Sequence, residues 1–475
     1  MVNIVSMPDA PEKMGIIPGI PSSLKSPIGF TDGRYTIQGI PLSDIVEQFG
    51  SATYVYDLDF LKEQFHYFSK VVCGSNSRFK IHYAMKANGE PHVLQTLAEA
   101  GAYVDTTSPA EVLLGLKNGF TEDRILFTAN SLTDEAIAFV QNRFEGRVLM
   151  NFDSLDVLER YGKAFQGNKV CLRFNPDVVA GEDPRLQTAG AKTKFGIALS
   201  DAAEAKKIAD AYGLTVVGLH EHTGSGISDK NALLKSMDNL MSVAHVFPDL
   251  RFVDFGGGFK ATYKPDEKPV NYESLGDEIL DKLSDFSKKF GHDLDVYLEP
   301  GKYIVAQCGV FLASVTEVRQ REAANGEVKR FVCVDASSKQ FARPSNLMDN
   351  GNTAYHHILI DKDPHCASQN EQEYDVVGNL CLTGDLFANN RKLSDDVRPG
   401  DVIAILNGGA YCYEVSSIFN MVPSAAIVVV KDGKASLVKA RESYEKFIEK
   451  YQAEYTEPQG GYPSLSSKQR IIQFG

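Results

Sequence analysis

The sequence lacks the features that would place it in several specialised classes of protein. Its seven cysteines are scattered, with no CxxC pair and an odd total. That arrangement disfavours a disulfide framework or a structural zinc site and is typical of a reducing compartment. No apolar run approaches the roughly 18 residues that a membrane-spanning helix needs. The first residues also lack the basic and apolar regions of a secretory signal. We therefore expect a cytoplasmic protein that does not cross a membrane.

Positive charge is also scarce. The 475 residues include 49 lysines and arginines against 62 aspartates and glutamates, for a formal net charge of −13. A protein with this balance has no general attraction for nucleic acid or for an anionic membrane. If the substrate is anionic, a few local cations must hold it.

Short apolar runs alternate with amphipathic segments from about residue 54 to residue 299. The runs predict eight strands, and the segments between them have helical periodicity. Eight strands alternating with helices over about 250 residues predict an α/β fold, a closed (β/α)8 barrel of the TIM type. An open, doubly wound sheet is the alternative. The predicted strands are 80–85, 102–106, 124–128, 147–152, 169–174, 216–222, 251–256 and 295–300.

The pattern changes after residue 299. Strand-like runs are then separated by turns without full-length helices, which predicts an all-β domain, a barrel or a sandwich. We therefore expect three parts: an N-terminal segment, residues 1–50, that joins the β-domain; the barrel, residues 51–308; and the C-terminal β-domain, residues 309–475.

Polar residues and glycines follow the predicted barrel strands, at the ends where chemistry is found in this fold. They are Lys86, Asp105, Arg173, His222, Gly257, Gly258 and Glu299. A lysine that leaves an apolar strand should be partly desolvated, which lowers its pKa and frees an amine for Schiff-base chemistry. Taken alone, Lys86 is more simply interpreted as a solvated residue at the rim of the barrel.

Two glycine-rich turns, HTGSG (222–226) and FGGGF (255–259), follow the sixth and seventh predicted strands. Their backbone N–H groups can approach a phosphate closely, and Ser225 can add a hydroxyl. A phosphate-bearing cofactor that requires a lysine is pyridoxal 5'-phosphate (PLP), whose pyridine nitrogen Glu299 could protonate. His220 and His222 would share a strand face, but no third ligand with suitable spacing follows, so we expect no metal site.

Six motifs occur in the order YAMKAN, HTGSG, DFGGGF, EPGK, CLTGD and GAYCYEVSSIFN. In this order they resemble the fold-type III PLP-dependent decarboxylases, which have an alanine-racemase-like barrel. The resemblance covers about residues 35–430. It is closest to diaminopimelate decarboxylase and more distant to ornithine decarboxylase of the eukaryotic type.

The resemblance implies a role for each matching residue of the cofactor site. Lys86 would form the Schiff base with PLP, His222 would stack on the ring, and Asp105 would position the Lys86 amine. Glu299 would face the pyridine nitrogen. The phosphate would be held by Ser225, Gly257, Gly258 and Tyr411.

The resemblance also implies a homodimer with shared active sites. Cys381 would come from the partner subunit and return a proton to Cα after CO₂ leaves, and Asp385 would come from the same subunit. Arg343 would recognise the distal end of the substrate.

Three departures from the family pattern concern that distal end. Leu382 stands where diaminopimelate decarboxylases carry a glutamate that binds the distal ammonium, and Lys302 replaces an arginine that forms bidentate contacts. In addition, the segment after Arg343 is longer than usual, and FNMVPSA lacks a common arginine.

With Arg343, Lys302 and Arg173 as cations, these changes favour an anionic, N-acylated amino acid of the citryl-ornithine type, as used in siderophore biosynthesis. The alternative is meso-diaminopimelate, converted to L-lysine. Further alternatives are D-ornithine or D-lysine, a PLP racemase, or a non-catalytic homologue.

Overall fold

The computed structural model describes residues 17, 19–181, 186–264, 267–343, 356–362 and 370–455. Within these ranges the helices are α1 Leu42–Phe49, α2 Leu58–Cys73, α3 Pro91–Glu99, α4 Pro109–Lys117, α5 Asp134–Phe144, α6 Leu155–Ala164, α7 Ala202–Ala211, α8 Lys230–Ala244, α9 Leu275–Phe290, α10 Lys302–Val305 and α11 Tyr444–Ala453. The strands are β1 Ile28–Thr31, β2 Arg34–Ile37, β3 Ile40–Pro41, β4 Thr53–Asp57, β5 Phe79–Ala84, β6 Tyr103–Thr106, β7 Ile125–Thr128, β8 Leu149–Phe152, β9 Lys169–Asn175, β10 Ile197–Ala198, β11 Thr215–His220, β12 Phe252–Asp254, β13 Asp295–Leu298, β14 Gly309–Glu322, β15 Val328–Val334, β16 Ile358–Asp361, β17 Glu371–Val377, β18 Leu386–Ser394, β19 Val402–Ile405, β20 Ala426–Lys431 and β21 Lys434–Lys439.

Eight parallel strands close into the predicted barrel. They follow the order β5-β6-β7-β8-β9-β11-β12-β13, and β13 pairs again with β5. The open-sheet alternative is wrong, because β8 also pairs with β9 and leaves the ring without an edge. Each of the eight predicted strands corresponds to one of these. The closed ring brings the carboxyl ends of all eight strands to one rim.

Local signals set the ends of the helices that surround the barrel. Asp57 accepts a hydrogen bond of 2.9 Å from the Phe60 N–H at the start of α2, and Gly74 ends that helix in the left-handed region. Ser108 and Pro109 begin α4 in the same way. Within the described ranges, no helix combines the length and the apolar character needed to cross a membrane.

A second sheet is built around β14. Its order is β18-β17-β15-β14-β4-β20-β21, and β19 joins β14 to β16. The strand β4 lies between β14 and β20, so the chain passes through this sheet before it enters the barrel. The sequence interpretation assigned residues 51–308, a range that includes β4, to the barrel. All five residues of β4 are buried, and a fully buried strand has no pattern that tells which sheet it joins.

The small sheet β1-β2-β3 and helix α1 pack against the second sheet. Ile28 and Leu42 share an apolar cluster with Val310 and Val428. Asp361 adds two hydrogen bonds of 2.9 Å, which its carboxylate accepts from backbone N–H groups of β2 and α1. The N-terminal strands are thereby attached to the β-domain rather than to the barrel.

Candidate active site

A cavity of about 560 Å³ opens at the rim formed by the carboxyl ends of the barrel strands. The β-domain contributes to its wall and is connected to the barrel there, since the Tyr411 N–H donates to the Ala87 carbonyl at 2.9 Å. The structure brings eight of the predicted site residues together around this cavity: Lys86, Arg173, His222, Ser225, Glu299, Lys302, Arg343 and Tyr411.

Lys86 lies in a single helical turn, Met85–Ala87, directly after β5. Its side chain is 39% exposed, and its Nζ is 3.9 Å from Oδ2 of Asp105. The expected lowering of its pKa is wrong for this structure. Burial does lower the pKa, but the negative charge of Asp105, followed by Tyr411 and Glu299, raises it above the ordinary value. Burial and then the charge of Glu299 raise the pKa of Asp105 well above its usual range too, so the amine lies beside a carboxyl that readily takes a proton.

Glu299, directly after β13, belongs to a buried group with His220 and Asp254. His220 Nε2 donates to Glu299 Oε2 at 3.3 Å, and one ligand atom from each of the three residues lies within 4.8 Å of the others. Burial opposes ionisation of Glu299, but His220 and Lys86 outweigh it and lower its pKa. Burial and the charge of Glu299 raise the pKa of Asp254 well above its usual range. The pKa values of the two carboxyls are thus pushed apart, and Glu299 is the one that ionises more readily.

This group also corrects one step of the sequence interpretation. His220 was considered as a metal ligand together with His222, and no third ligand was found along the chain. The fold instead groups His220 with two acids that are distant in sequence.

His222 lies against the glycine turn after β12. The Gly257 N–H donates to His222 Nδ1 at 3.1 Å, so Nε2 carries the hydrogen of the neutral ring. Burial, and then Lys86 and Arg173, lower the pKa of His222 well below its usual value. A Cβ at Gly257 would lie 2.2 Å from the Glu299 carbonyl oxygen, so only glycine permits this close approach.

These residues fit PLP. Oε1 of the ionised Glu299 is buried and has no hydrogen-bond partner among the described residues, so it can accept the proton of a pyridine N–H. Lys86 supplies an amine for a carbonyl carbon, and the neutral ring of His222 offers a flat face. Ser225 lines the cavity and supplies a hydroxyl for a phosphate, whereas the predicted donor Gly257 N–H is already bonded to His222.

Five cations line the cavity, but Glu299 is its only carboxylate among the described lining residues. In a chain with a net charge of −13, this is a local concentration of positive charge. The cations are Lys86, Arg173, Lys194, Lys302 and Arg343. The sequence interpretation missed Lys194, which lies in the loop after β9 and not at a strand end. It and Arg173 lie over the same Phe195 ring, at 5.3 and 4.9 Å from its centroid.

Six predicted residues do not line the cavity of the single chain. Asp105 and Gly257 contact the lining residues Lys86 and His222, and Gly258 follows Gly257. The other three belong to the β-domain. Cys381 is exposed, with its Sγ 3.0 Å from Asn420 Nδ2, and Leu382 is 43% exposed. Asp385 is buried, and its oxygens accept hydrogen bonds from the Ser338 and Leu380 N–H groups at 2.6 and 2.7 Å. Asp385 therefore orders the turn around Cys381 in its own chain. The roles of all three at a partner's site stay predictions, and the long segment after Arg343 lies, from 344 to 355, outside the described residues.

Three features define the fold-type III class of PLP enzymes, and this site has all of them. They are a lysine after the first barrel strand, a carboxylate after the eighth strand, and a cavity wall contributed by a β-domain. The family model for the pyridoxal binding domain of the pyridoxal-dependent decarboxylases matches residues 58–306. The chain belongs to this family. It is therefore a PLP-dependent carboxy-lyase, as the resemblance implied.

Relatives match nearly their whole length. The chain is 33% identical over 426 residues to the diaminopimelate decarboxylase of Methanothermobacter thermautotrophicus, covering 88% of this chain and 95% of the relative. It is 31% identical over 430 residues to that of Aquifex aeolicus, covering 88% and 96%. The crystal structure of diaminopimelate decarboxylase from Helicobacter pylori complexed with L-lysine matches with a TM-score of 0.75 and 27% identity, covering 86% of this chain and 99% of that one.

Proposed function

We propose that the chain decarboxylates meso-diaminopimelate to L-lysine. The observation that carries this proposal is the match to diaminopimelate decarboxylases over nearly their full length. The residue pattern first favoured an N-acylated substrate, but the comparisons support the diaminopimelate alternative better. The cation-lined cavity suits it too, because diaminopimelate carries a second carboxylate at its distal end.

Each residue around the cavity has a separate role in this proposal. Bound PLP supplies an electron sink for the charge that remains when CO₂ leaves. Lys86 attaches the cofactor, and Asp105 receives the proton of its amine. Glu299 would hold the proton of the pyridine nitrogen, and His222 would lie against the ring. Arg343 and Lys302 bind the distal carboxylate of the substrate, which fixes the orientation of its other end.

A second candidate substrate is an N-acylated amino acid with extra carboxylates, of the citryl-ornithine type. The surplus of cations in the cavity favours it, as does Leu382, which supplies no carboxylate for a distal ammonium. D-ornithine and D-lysine fit less well, because they have no distal carboxylate for these cations to bind. Membership of a decarboxylase family gives no support to a racemase or a non-catalytic homologue.

A direct comparison of the two substrates tests the proposal. We expect kcat/KM for CO₂ release from meso-diaminopimelate to exceed that from citryl-ornithine by about a hundredfold, since the larger molecule must displace wall residues. L-Lysine should be the product by mass spectrometry. Faster turnover of citryl-ornithine would replace the first proposal with the second.

We also propose that the enzyme is a cytoplasmic homodimer in which each cavity is completed by the partner subunit. Five apolar side chains beside Cys381 are 37–46% exposed, and we call them the rim patch: Leu382, Val415, Ile418, Phe419 and Met421. Val415 also lines the cavity, so the patch is continuous with the mouth of the site. Exposed apolar surface of this kind is typical of an interface.

The six described cysteines support the cytoplasmic location in this proposal. All six are free thiols, as is typical of proteins in a reducing compartment.

Mixing two inactive variants tests the shared site. Lys86→Ala and Cys381→Ala should each be inactive, but half of the randomly mixed dimers would contain one intact site. We expect the mixture to recover about a quarter of wild-type activity. As the control, Lys86→Ala mixed with Glu299→Gln should recover nothing, because both residues belong to the same barrel. A Cys381→Ala mixture that stays inactive would contradict the shared site.

A further inference from the structure

The Arg343 guanidinium, in the wall of the cavity, is held on two sides by buried side chains. Its Nη1 lies 3.0 Å from Nε2 of His356, and its Cζ lies 4.2 Å from the centroid of the Tyr263 ring. A guanidinium only donates hydrogen bonds, so His356 Nε2 must be the acceptor. Tyr263 belongs to the barrel loop after β12, whereas His356 lies two residues before the β-domain strand β16. Arg343 is therefore fixed where the two parts of the chain meet.

The tautomer of His356 is set from its other side. Its Nδ1 lies 2.7 Å from the Leu406 carbonyl oxygen, which can only accept, so Nδ1 carries the hydrogen and Nε2 keeps a lone pair. Phe341 and Tyr263 each contact the imidazole in an edge-on geometry with 5.0 Å between ring centroids. The ring is thus locked in the orientation that Arg343 needs.

The charge of His356 matters as much as its orientation. Burial is the largest factor that lowers its pKa well below the usual value, and Arg343 acts in the same direction. The imidazole is therefore neutral at physiological pH. A carboxylate at this position would orient the guanidinium but would also neutralise it. A neutral acceptor orients Arg343 without adding a negative charge beside it.

We infer that His356 is a positioning residue that holds Arg343 as the receptor for the distal carboxylate of the substrate. This inference rests on the proposed function, which assigns that carboxylate to Arg343. His356 does not touch the substrate in this account. It should therefore affect substrate binding through Arg343 and leave the chemistry at Lys86 intact.

Two polar substitutions distinguish the contribution of the Nε2 atom of His356 from that of its Nδ1 atom. Asparagine places its amide near the position of Nδ1 and loses the contact with Arg343, whereas glutamine places an acceptor near the position of Nε2. We expect His356→Asn to raise KM for meso-diaminopimelate about tenfold, with kcat changed by less than about twofold, as for the loss of one hydrogen bond to a charged group. His356→Gln should recover most of that loss. His357→Asn, the same change one residue along the chain, is the matched control and should leave KM unchanged.

A double-mutant cycle shows whether the effect passes through Arg343. Arg343→Lys should raise KM by itself, and adding His356→Asn to it should have little further effect. His356→Phe, which keeps the packing against Tyr263 and Phe341 but removes the acceptor, replaces His356→Asn if the latter does not fold. PLP absorbance and circular dichroism of each variant verify folding and cofactor binding.

The possible outcomes separate this inference from the proposed function. If Arg343→Lys leaves KM unchanged, Arg343 does not bind the distal carboxylate, and the proposed function loses its receptor. If Arg343→Lys raises KM but His356→Asn behaves like His357→Asn, the positioning role of His356 is wrong. Equal effects of His356→Asn and His356→Gln, or additive effects in the cycle, would also overturn it.

Discussion

In Lys86→Ala we expect decarboxylase activity to fall by at least about a thousandfold, because the variant loses the amine that attaches the cofactor. The visible absorbance of the covalently bound cofactor should disappear at the same time. Spectra and CO₂ release, measured on the same purified protein, check both results.

The matched control is Lys80→Ala, which removes a lysine from the opposite end of the same strand. Lys80 pairs with Asp295 at 2.8 Å and does not line the cavity. This variant should keep its visible absorbance and most of its activity. Equal activity in the two variants would remove Lys86 from the mechanism.

Glu299→Gln should lower kcat by about a hundredfold to a thousandfold while PLP still binds. The amide keeps the size of the carboxylate but not its negative charge, so the pyridine nitrogen is no longer held in its protonated form. Steady-state kinetics together with a cofactor titration separate the loss of rate from any loss of binding.

Glu221→Gln is the control for this substitution. Glu221 is also buried and lies beside His220, but burial raises its pKa to about 8, so it is mostly protonated at neutral pH. Its carboxyl oxygens accept hydrogen bonds of 2.9 Å from Thr223 and Ser236, which an amide can preserve in part. We expect a small change in kcat. A loss as large as that of Glu299→Gln would show that the ionised carboxylate is not the cause.

The barrel and the cofactor site could be predicted from sequence for a physical reason. In parallel barrel strands, apolar runs end at one rim, so Lys86, His222 and Glu299 had to meet there once the strands were counted. The comparison with the family placed Arg343 and Tyr411, which belong to the β-domain and follow no barrel strand.

Other features could not be predicted, because they depend on residues that meet only in the folded chain. The pKa of Lys86 rises because Asp105, Tyr411 and Glu299 surround it, whereas a single strand suggests only burial. Asp254 lay inside the predicted strand 251–256 and drew no attention until the fold placed it beside Glu299. His356 had no distinguishing pattern either, since its partners are Arg343 and a carbonyl 50 residues further along the chain.

The central claim is that Lys86 carries the cofactor at this rim of the barrel. Reduction of the PLP-loaded enzyme with borohydride, followed by peptide mass spectrometry, tests it most directly, because reduction converts the lysine–cofactor linkage into a stable amine. We predict one phosphopyridoxyl group per chain, on the peptide that contains Lys86. Labelling of Lys194 or Lys302 instead, or no labelled peptide from a protein that binds PLP, would contradict the account.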